Sequence, residues 1–476
     1  MSARFGFWLL VGLIAAIGVG KAVQSDTLDP DLFWHLRVAE QLRTEGIHPL
    51  VDRISFESIT QPWTPYSWLA ELGMKWLWDH LGWRAAVAGE AVIVAGVIAM
   101  IALCCLALAG RDRRLNALIG TALGAFLTIP FISFRPITFA MLMLAVIAWL
   151  LLRDRTKRSK LVWLIVPLTM LLANVHLCAV LVPIWVACLL GGAIWERKDV
   201  KRYALLLAAT SLTCLATPML PGAARTAWYY QSRDVMVASP IIAEMQPVYH
   251  GVLGAVTVVL LIVLVAIAIV NRQRLRAGEW IWLIVGAILM LRLAKFTPMF
   301  ALVAAPVLAA TLPAMNDRAL RKPVLALALA IVLLISLIRI GVDFPRAATA
   351  MDQWINRRGP SVEPYPTAAA DYVQHNITPR TGRVINEFNW GGYLAWRLGD
   401  RYQVFLDGRT QLYPPDFWRA TYLGDDRDAA KVIAAADADV AIIPVRKPRF
   451  GKALQMLGWR SVYRDEVAEV FLPPDH

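Results

Sequence analysis

Cysteine is scarce in this chain and placed where it cannot cross-link an exterior. All five, Cys104, Cys105, Cys178, Cys188 and Cys214, fall inside apolar runs, which excludes a disulfide framework outside those runs and reads as small apolar packing. No Cys or His spacing suited to a metal is present, so the sequence indicates no cofactor, with a divalent metal left open. Internal repeats and low-complexity tracts are also missing; the Ala-Leu run 325–330 belongs to a membrane helix of low diversity. Charged residues make up only 17% of the 476 positions, against 58% apolar residues and 19 Trp, a balance that excludes an array of soluble domains.

What charge there is carries the topology. Lys and Arg gather at Arg111 to Arg114, Arg153 to Lys160, Arg197 to Arg202, Arg272 to Arg276 and Arg318 to Lys322, in every second gap between apolar runs. Short loops rich in Lys and Arg stay cytoplasmic, so with Arg4 at the start the N-terminus is expected inside and the alternate loops outside. The expected spans are 5–22, 85–109, 115–133, 137–152, 161–175, 177–195, 203–220, 252–271, 279–293, 296–314 and 324–341. Several fall short of the roughly 20 residues a perpendicular helix needs, as buried or broken helices do. The first run has no clear small-residue cleavage site after it and is kept as a membrane helix.

The formal net charge of +13 follows from the same clusters. Residues 343–476 hold 17 Lys plus Arg and 17 Asp plus Glu, and 19 of the remaining 31 basic residues lie at Arg4 or in the five clusters. Orientation in a membrane therefore accounts for the high isoelectric point, and nucleic acid is not an expected partner.

The expected fold is a polytopic α-helical membrane protein of about eleven transmembrane helices, residues 1–342, with an exported α/β domain at 343–476. The first loop, 23–84, is expected outside too, and carries nine acids, five bases and six Trp. Within it, 28–45 reads as a helix with Leu32, Leu36, Ala39 and Leu42 in register. A second helix is expected from Thr64-Pro65 with Trp68, Leu69, Leu72 and Trp76 on one side, both lying aromatic side down on the membrane surface. Beyond 343, strand-like runs at 384–386, 404–406 and 440–443 alternate with helical stretches near 366–376, 390–398, 428–436 and 450–457, predicting a partly parallel sheet with a final edge strand or hairpin over 461–472.

The sharpest chemical pattern is Asp29-Pro30-Asp31-Leu32-Phe33-Trp34-His35. Asp29 is a candidate cap and Asp31 sits in the first turn, where an acid also complements the helix dipole. Asp31 and His35 are four apart and share a face. A carboxylate beside a His that orients it is a reasonable general base for a sugar hydroxyl.

These residues, with Pro49-Leu50-Val51-Asp52-Arg53-Ile54-Ser55 and the stretch from Trp63 to Glu71, resemble the first loop of polytopic glycosyltransferases of the GT-C type, such as protein mannosyltransferases and the sugar transferases of bacterial lipid A. Asn386-Glu387-Phe388-Asn389-Trp390-Gly391-Gly392-Tyr393-Leu394 and Phe405-Leu406-Asp407-Gly408-Arg409 are similar to segments of bacterial members with this layout. The resemblance implies an inverting transfer at the outer face of a bacterial cell membrane, from a polyprenyl-phosphate sugar to an envelope glycan, lipid or protein. Asp31 matches the base best and Asp29 second, although Pro30 separates acids that the family often places side by side.

A phosphate-bearing donor needs cations where its leaving group forms. Arg292 and Lys295, between two apolar runs, are the best pair, with Arg135 third; His176, Arg225 and Arg233 also lie at exported span ends. Glu90 is expected to look into the bundle toward a cation. Glu244, Trp390, Asp407 and Arg409 are the candidate acceptor contacts: Trp390 for its flat face, the Asp407-Gly408-Arg409 turn because strand ends in α/β domains commonly meet ligands. Two other readings stay open, a transporter or flippase of a lipid-linked saccharide and a non-catalytic anchor whose exported domain binds envelope polymer.

Overall fold

The computed structural model describes residues 2–474 apart from 25–28, 59–62, 233–234, 237–238, 240, 317, 319, 321 and 344–364. The chain forms two compact units. One holds Met1–Gln24, Ala86–Thr217 and Pro240–Phe344; the other gathers Ser25–Ala85, Pro218–Ser239 and Pro345–His476.

In the first unit each of the eleven expected apolar runs is helical. Among the described residues eight helices are long and apolar enough to cross a membrane: Ala3–Val23, Arg84–Ala109, Arg114–Phe131, Pro136–Lys157, Leu177–Trp195, Gly251–Val270, Ala294–Thr311 and Pro323–Val342. Lys160–Val175 is shorter. Val200–Cys214 and Ala277–Arg292, of 15 and 16 residues, rise only about 24 Å at most at 1.5 Å per residue, short of a hydrocarbon core of about 30 Å.

Thr297–Thr311 is the centre of this unit, with all fifteen residues buried. It lies against Arg114–Thr128, where Gly120 lets the backbones meet: an added Cβ would stand 2.5 Å from the Ala305 carbonyl oxygen, the small-residue contact typical of membrane helix pairs. The last carbonyls of the central helix are capped from outside. Arg113 donates to Ala310 O at 2.7 Å and Leu312 O at 2.6 Å, and Asn116 donates to Pro313 O at 2.9 Å. Such donors satisfy carbonyls that no helical partner can reach.

The second unit is built on a five-stranded sheet, β1 Arg383–Asn386, β2 Gln403–Val404, β3 Val440–Pro444, β4 Arg460–Arg464 and β5 Ala468–Leu472, in the order β2-β1-β3-β5-β4. β1 is parallel to both β2 and β3, while β5 runs antiparallel to β3 and β4. Helix Thr367–Asn376 precedes β1, while Gly391–Leu398, Asp426–Ala435 and Gly451–Met456 fall between successive strands from β1 to β4, all close to their expected positions.

The first loop belongs to this sheet. Val404 N donates to Ile54 O at 2.9 Å and Phe56 N donates to Val404 O at 3.2 Å, so 54–56 extends the β2 edge. The helix Pro30–Glu45 buries Leu32, Phe33, Trp34, Leu36, Val38, Ala39 and Leu42, and Phe33 stands edge-on, 5.2 Å between ring centroids, to both Tyr365 and Tyr393. Its aromatic side, expected on the membrane surface, is covered by protein, because rings at the C-terminal end of the chain present a better-packed apolar surface. The second loop helix starts later than expected, at Trp68 rather than Thr64-Pro65, and buries Ala70, Glu71, Met74 and Trp78. The expected Trp76 faces out, 60% exposed. Leu220–Ser232 completes the unit, with Tyr229 Oη donating to Tyr413 O at 3.4 Å.

Candidate active site

Asp29 closes the N-terminus of Pro30–Glu45: its Oδ1 accepts from Asp31 N at 2.9 Å, and Pro30 at the first helical position loses no hydrogen bond there. Asp31 is half-buried in the first turn. Its Oδ1 accepts the indole N–H of Trp34 at 2.9 Å. From the other side Gly408 presses on it: a Cβ there would collide with Asp31 Oδ1 and stand 3.0 Å from Trp34 Nε1. Trp34 and Gly408 thus bound the carboxylate on two sides.

His35 is buried, and its Nδ1 lies 2.9 Å from Glu71 Oε1. Burial, countered by the positive charge of Arg409, pushes the Glu71 carboxyl up to about 8. Glu71 has no apolar signature of its own. It is found only once the buried side of Trp68–Leu81 is known, for it lies between Ala70 and Met74 on that side.

Asp407 and Arg409 are brought together but turned inward. Arg409 is 1% exposed; its Nη1 reaches Asp52 Oδ1 at 2.8 Å and its Nη2 reaches Asp407 Oδ2 at 2.5 Å. The guanidinium also lies 5.0 Å from the centroid of the Trp63 ring and 5.9 Å from that of Trp34. Burial opposes its charge, yet Asp407 and Asp52 outweigh that and hold it above the ordinary arginine value. Trp390 is 2% exposed, and Gly391 behind it has its Cα where a Cβ would strike the Leu406 carbonyl. These three candidate acceptor contacts are buried in the interior of the unit.

The candidate cations lie in the other unit. Arg135 Nη2 pairs with Glu244 Oε2 at 2.7 Å, so the candidate acceptor contact Glu244 is the ion-pair partner of a candidate cation. Burial pushes the Glu244 carboxyl up, but Arg135 and Lys295 overcome it and hold it below the usual glutamate value. Lys295 Nζ is 5.9 Å from the Phe296 ring centroid, and the backbone of Ala294 donates to Gln246 O at 2.8 Å, tying this turn to the Glu244 segment. His176 Nδ1 accepts from Cys178 N at 3.1 Å and so caps its turn. Arg292 ends the helix Ala277–Arg292 with its side chain exposed. Arg225 is exposed as well, and Arg233 lies outside the described residues. Among the described residues no group of three or more His, Cys, Asp or Glu is placed to hold a metal ion.

No family model and no curated protein matches the sequence. Solved structures do match in fold. The apo oligosaccharyltransferase of Archaeoglobus fulgidus superposes with a TM-score of 0.58 at 13% identity, over 92% of this chain and 70% of that one. The same organism's oligosaccharyltransferase AglB, solved with an inhibitory peptide and a dolichol-phosphate, gives 0.55 at 13% identity over 91% and 69%. Arabinofuranosyltransferase AftD from Mycobacteria gives 0.51 at 17% identity, over all of this chain and 40% of that much longer one.

Proposed function

On the premise that this chain has the GT-C fold of membrane glycosyltransferases, we propose that it transfers a sugar from a polyprenyl-phosphate donor to an envelope acceptor, on the exported face of the membrane, with Asp31 as the general base. The observation that carries this reading is the carboxylate of Asp31, half-buried in the first turn of its helix and held there by Trp34 and Gly408. Asp31 removes the hydroxyl proton of the acceptor, the oxygen attacks the anomeric carbon, and the bond to the donor phosphate breaks with its electron pair leaving on that phosphate. Direct displacement of this kind inverts the anomeric centre. The dolichol-phosphate bound by the archaeal enzyme supports a donor of the same chemistry. The alternating basic clusters support a cytoplasmic N-terminus and an exported second unit.

A deletion strain is expected to accumulate the lipid-linked sugar, identified by mass spectrometry, on the exported side of the membrane, and a reporter fused after Pro474 should read exported. An unchanged lipid pool defeats the reading. Accumulation confined to the cytoplasmic leaflet identifies a flippase.

Lys295, Arg135 and Arg292 are proposed to meet the donor phosphate, and the structure separates what each should do. Arg135→Ala leaves Glu244 half-buried without its partner, so it should lower the melting temperature as well as donor use. Lys295→Ala and Arg292→Ala should weaken affinity for polyprenyl phosphate at least tenfold, a larger effect than either has on melting. If both variants bind polyprenyl phosphate like the wild type, neither cation meets the donor.

A further inference from the structure

Glu71 is not reached by any acceptor, donor or lipid in the scheme above, yet it is a fully buried acid hydrogen-bonded to a residue one helical turn from the proposed base. Only one of its oxygens is used. Oε1 meets His35 Nδ1, while Oε2 has no hydrogen-bond partner among the described residues; one turn back, Ser67 Oγ is buried in the same condition. An ionised carboxylate in that state would forfeit the hydration of Oε2 with no hydrogen bond in exchange there. A carboxylic acid would not, because its hydroxyl can donate to the ring nitrogen it faces.

We propose that Glu71 is a positioning residue for the transfer: as a neutral acid it donates to His35 Nδ1 and fixes His35 in the tautomer whose Nε2 carries the hydrogen. This inference rests on Asp31 being the base. In a neutral imidazole one nitrogen donates and the other accepts, and the partner of one decides the state of both. When Glu71 ionises, its oxygen becomes an acceptor only, the ring hydrogen moves to Nδ1, and Nε2 changes from donor to lone pair. The change happens one helical turn from Asp31, on the same side of Pro30–Glu45, without any movement of the backbone.

The charges around the pair support the neutral form. Arg409 is the cation whose field reaches Glu71, and it is already held by Asp52 and Asp407. On Glu71's own helix, Lys75 is a turn further on and engaged by Asp79 and Glu40. Burial exceeds the effect of Arg409 and brings Glu71 up to about 8, so at neutral pH the acid is protonated and it ionises as the pH passes about 8.

Infrared spectroscopy of the full-length protein in nanodiscs, wild type against Glu71→Gln, tests this. A protonated-carboxyl band is expected at pH 6.5 and should be lost around pH 8; Glu71→Gln should lack it. Rates with the polyprenyl-linked sugar extracted from the deletion strain give the second readout. Wild-type transfer should fall by up to about tenfold per pH unit above about 8. In Glu71→Gln that fall should vanish, because an amide N–H donates to Nδ1 at every pH. Absence of the band in the wild type, or the same alkaline fall in Glu71→Gln, overturns the proposal. Either result leaves Asp31 in place; full transfer by Asp31→Asn instead removes the base reading on which the proposal stands.

Discussion

Asp31→Asn is expected to abolish transfer, by at least about a hundredfold, while the protein inserts and melts as the wild type does. Loss of a positioned general base typically costs two to four orders of magnitude in rate. The shape is kept: Oδ1 of the new amide can still accept the Trp34 N–H, and the position is half-buried rather than sealed. Only the capacity to take a proton is lost. The check is single-turnover transfer from the accumulated lipid, alongside a melting curve. Activity within a few-fold of wild type would eliminate Asp31 and move attention to Asp29, whose own Asn variant should act mildly because Asn also caps helices well.

The second large effect is expected at Arg409. Replacing it with Met keeps much of the volume between Trp63 and Trp34 but leaves Asp52 and Asp407, both inaccessible, as buried carboxylates without a counter-charge. Removing one partner of a buried ion pair typically costs about 3–5 kcal/mol, a large part of what a domain of this size possesses. Arg409→Lys should recover little, since an ammonium cannot serve two carboxylates as a planar fork does. Limited proteolysis should show the first loop and the C-terminal region becoming sensitive together. For the same reason residues 365–476 expressed alone should not melt cooperatively, although the sequence marks an α/β domain over 343–476. The fragment lacks Asp52 and also Leu32, Phe33 and Leu36, each 0% exposed in the whole protein. A cooperative melt of that fragment would show that the sheet folds without the loop.

Much of the fold is legible in the sequence because its signals are local. Eleven apolar runs become helices, and the parallel strands declare themselves as short β-branched runs between helical stretches. Asp29 and Asp31 are legible for a like reason, since a cap and a first-turn acid are specified within three residues. The companions of Asp31 are not. Trp34 reads as one more apolar residue, and Gly408 as a turn. Glu71 was hidden by a helix whose most conspicuous aromatic, Trp76, is exposed, so that the expected buried side pointed the wrong way. The Asp407-Gly408-Arg409 turn reads as a ligand contact at a strand end, because nothing local announces a carboxylate partner 357 residues earlier in the chain.

That separation has a consequence for how the protein is made. At ribosomal rates of about 5–20 residues per second, roughly 20 to 70 s pass between synthesis of Asp52 and of its guanidinium. Through that interval the first loop is already out of the ribosome with its apolar helix side uncovered, while one membrane helix after another is inserted behind it. A nascent or truncated chain therefore carries Asp31 but not the glycine that packs against it. Quality control during biogenesis has one late event to monitor, the arrival of the Asp407-Gly408-Arg409 turn, and stop codons anywhere before it should yield chains that insert, fail to close and are degraded.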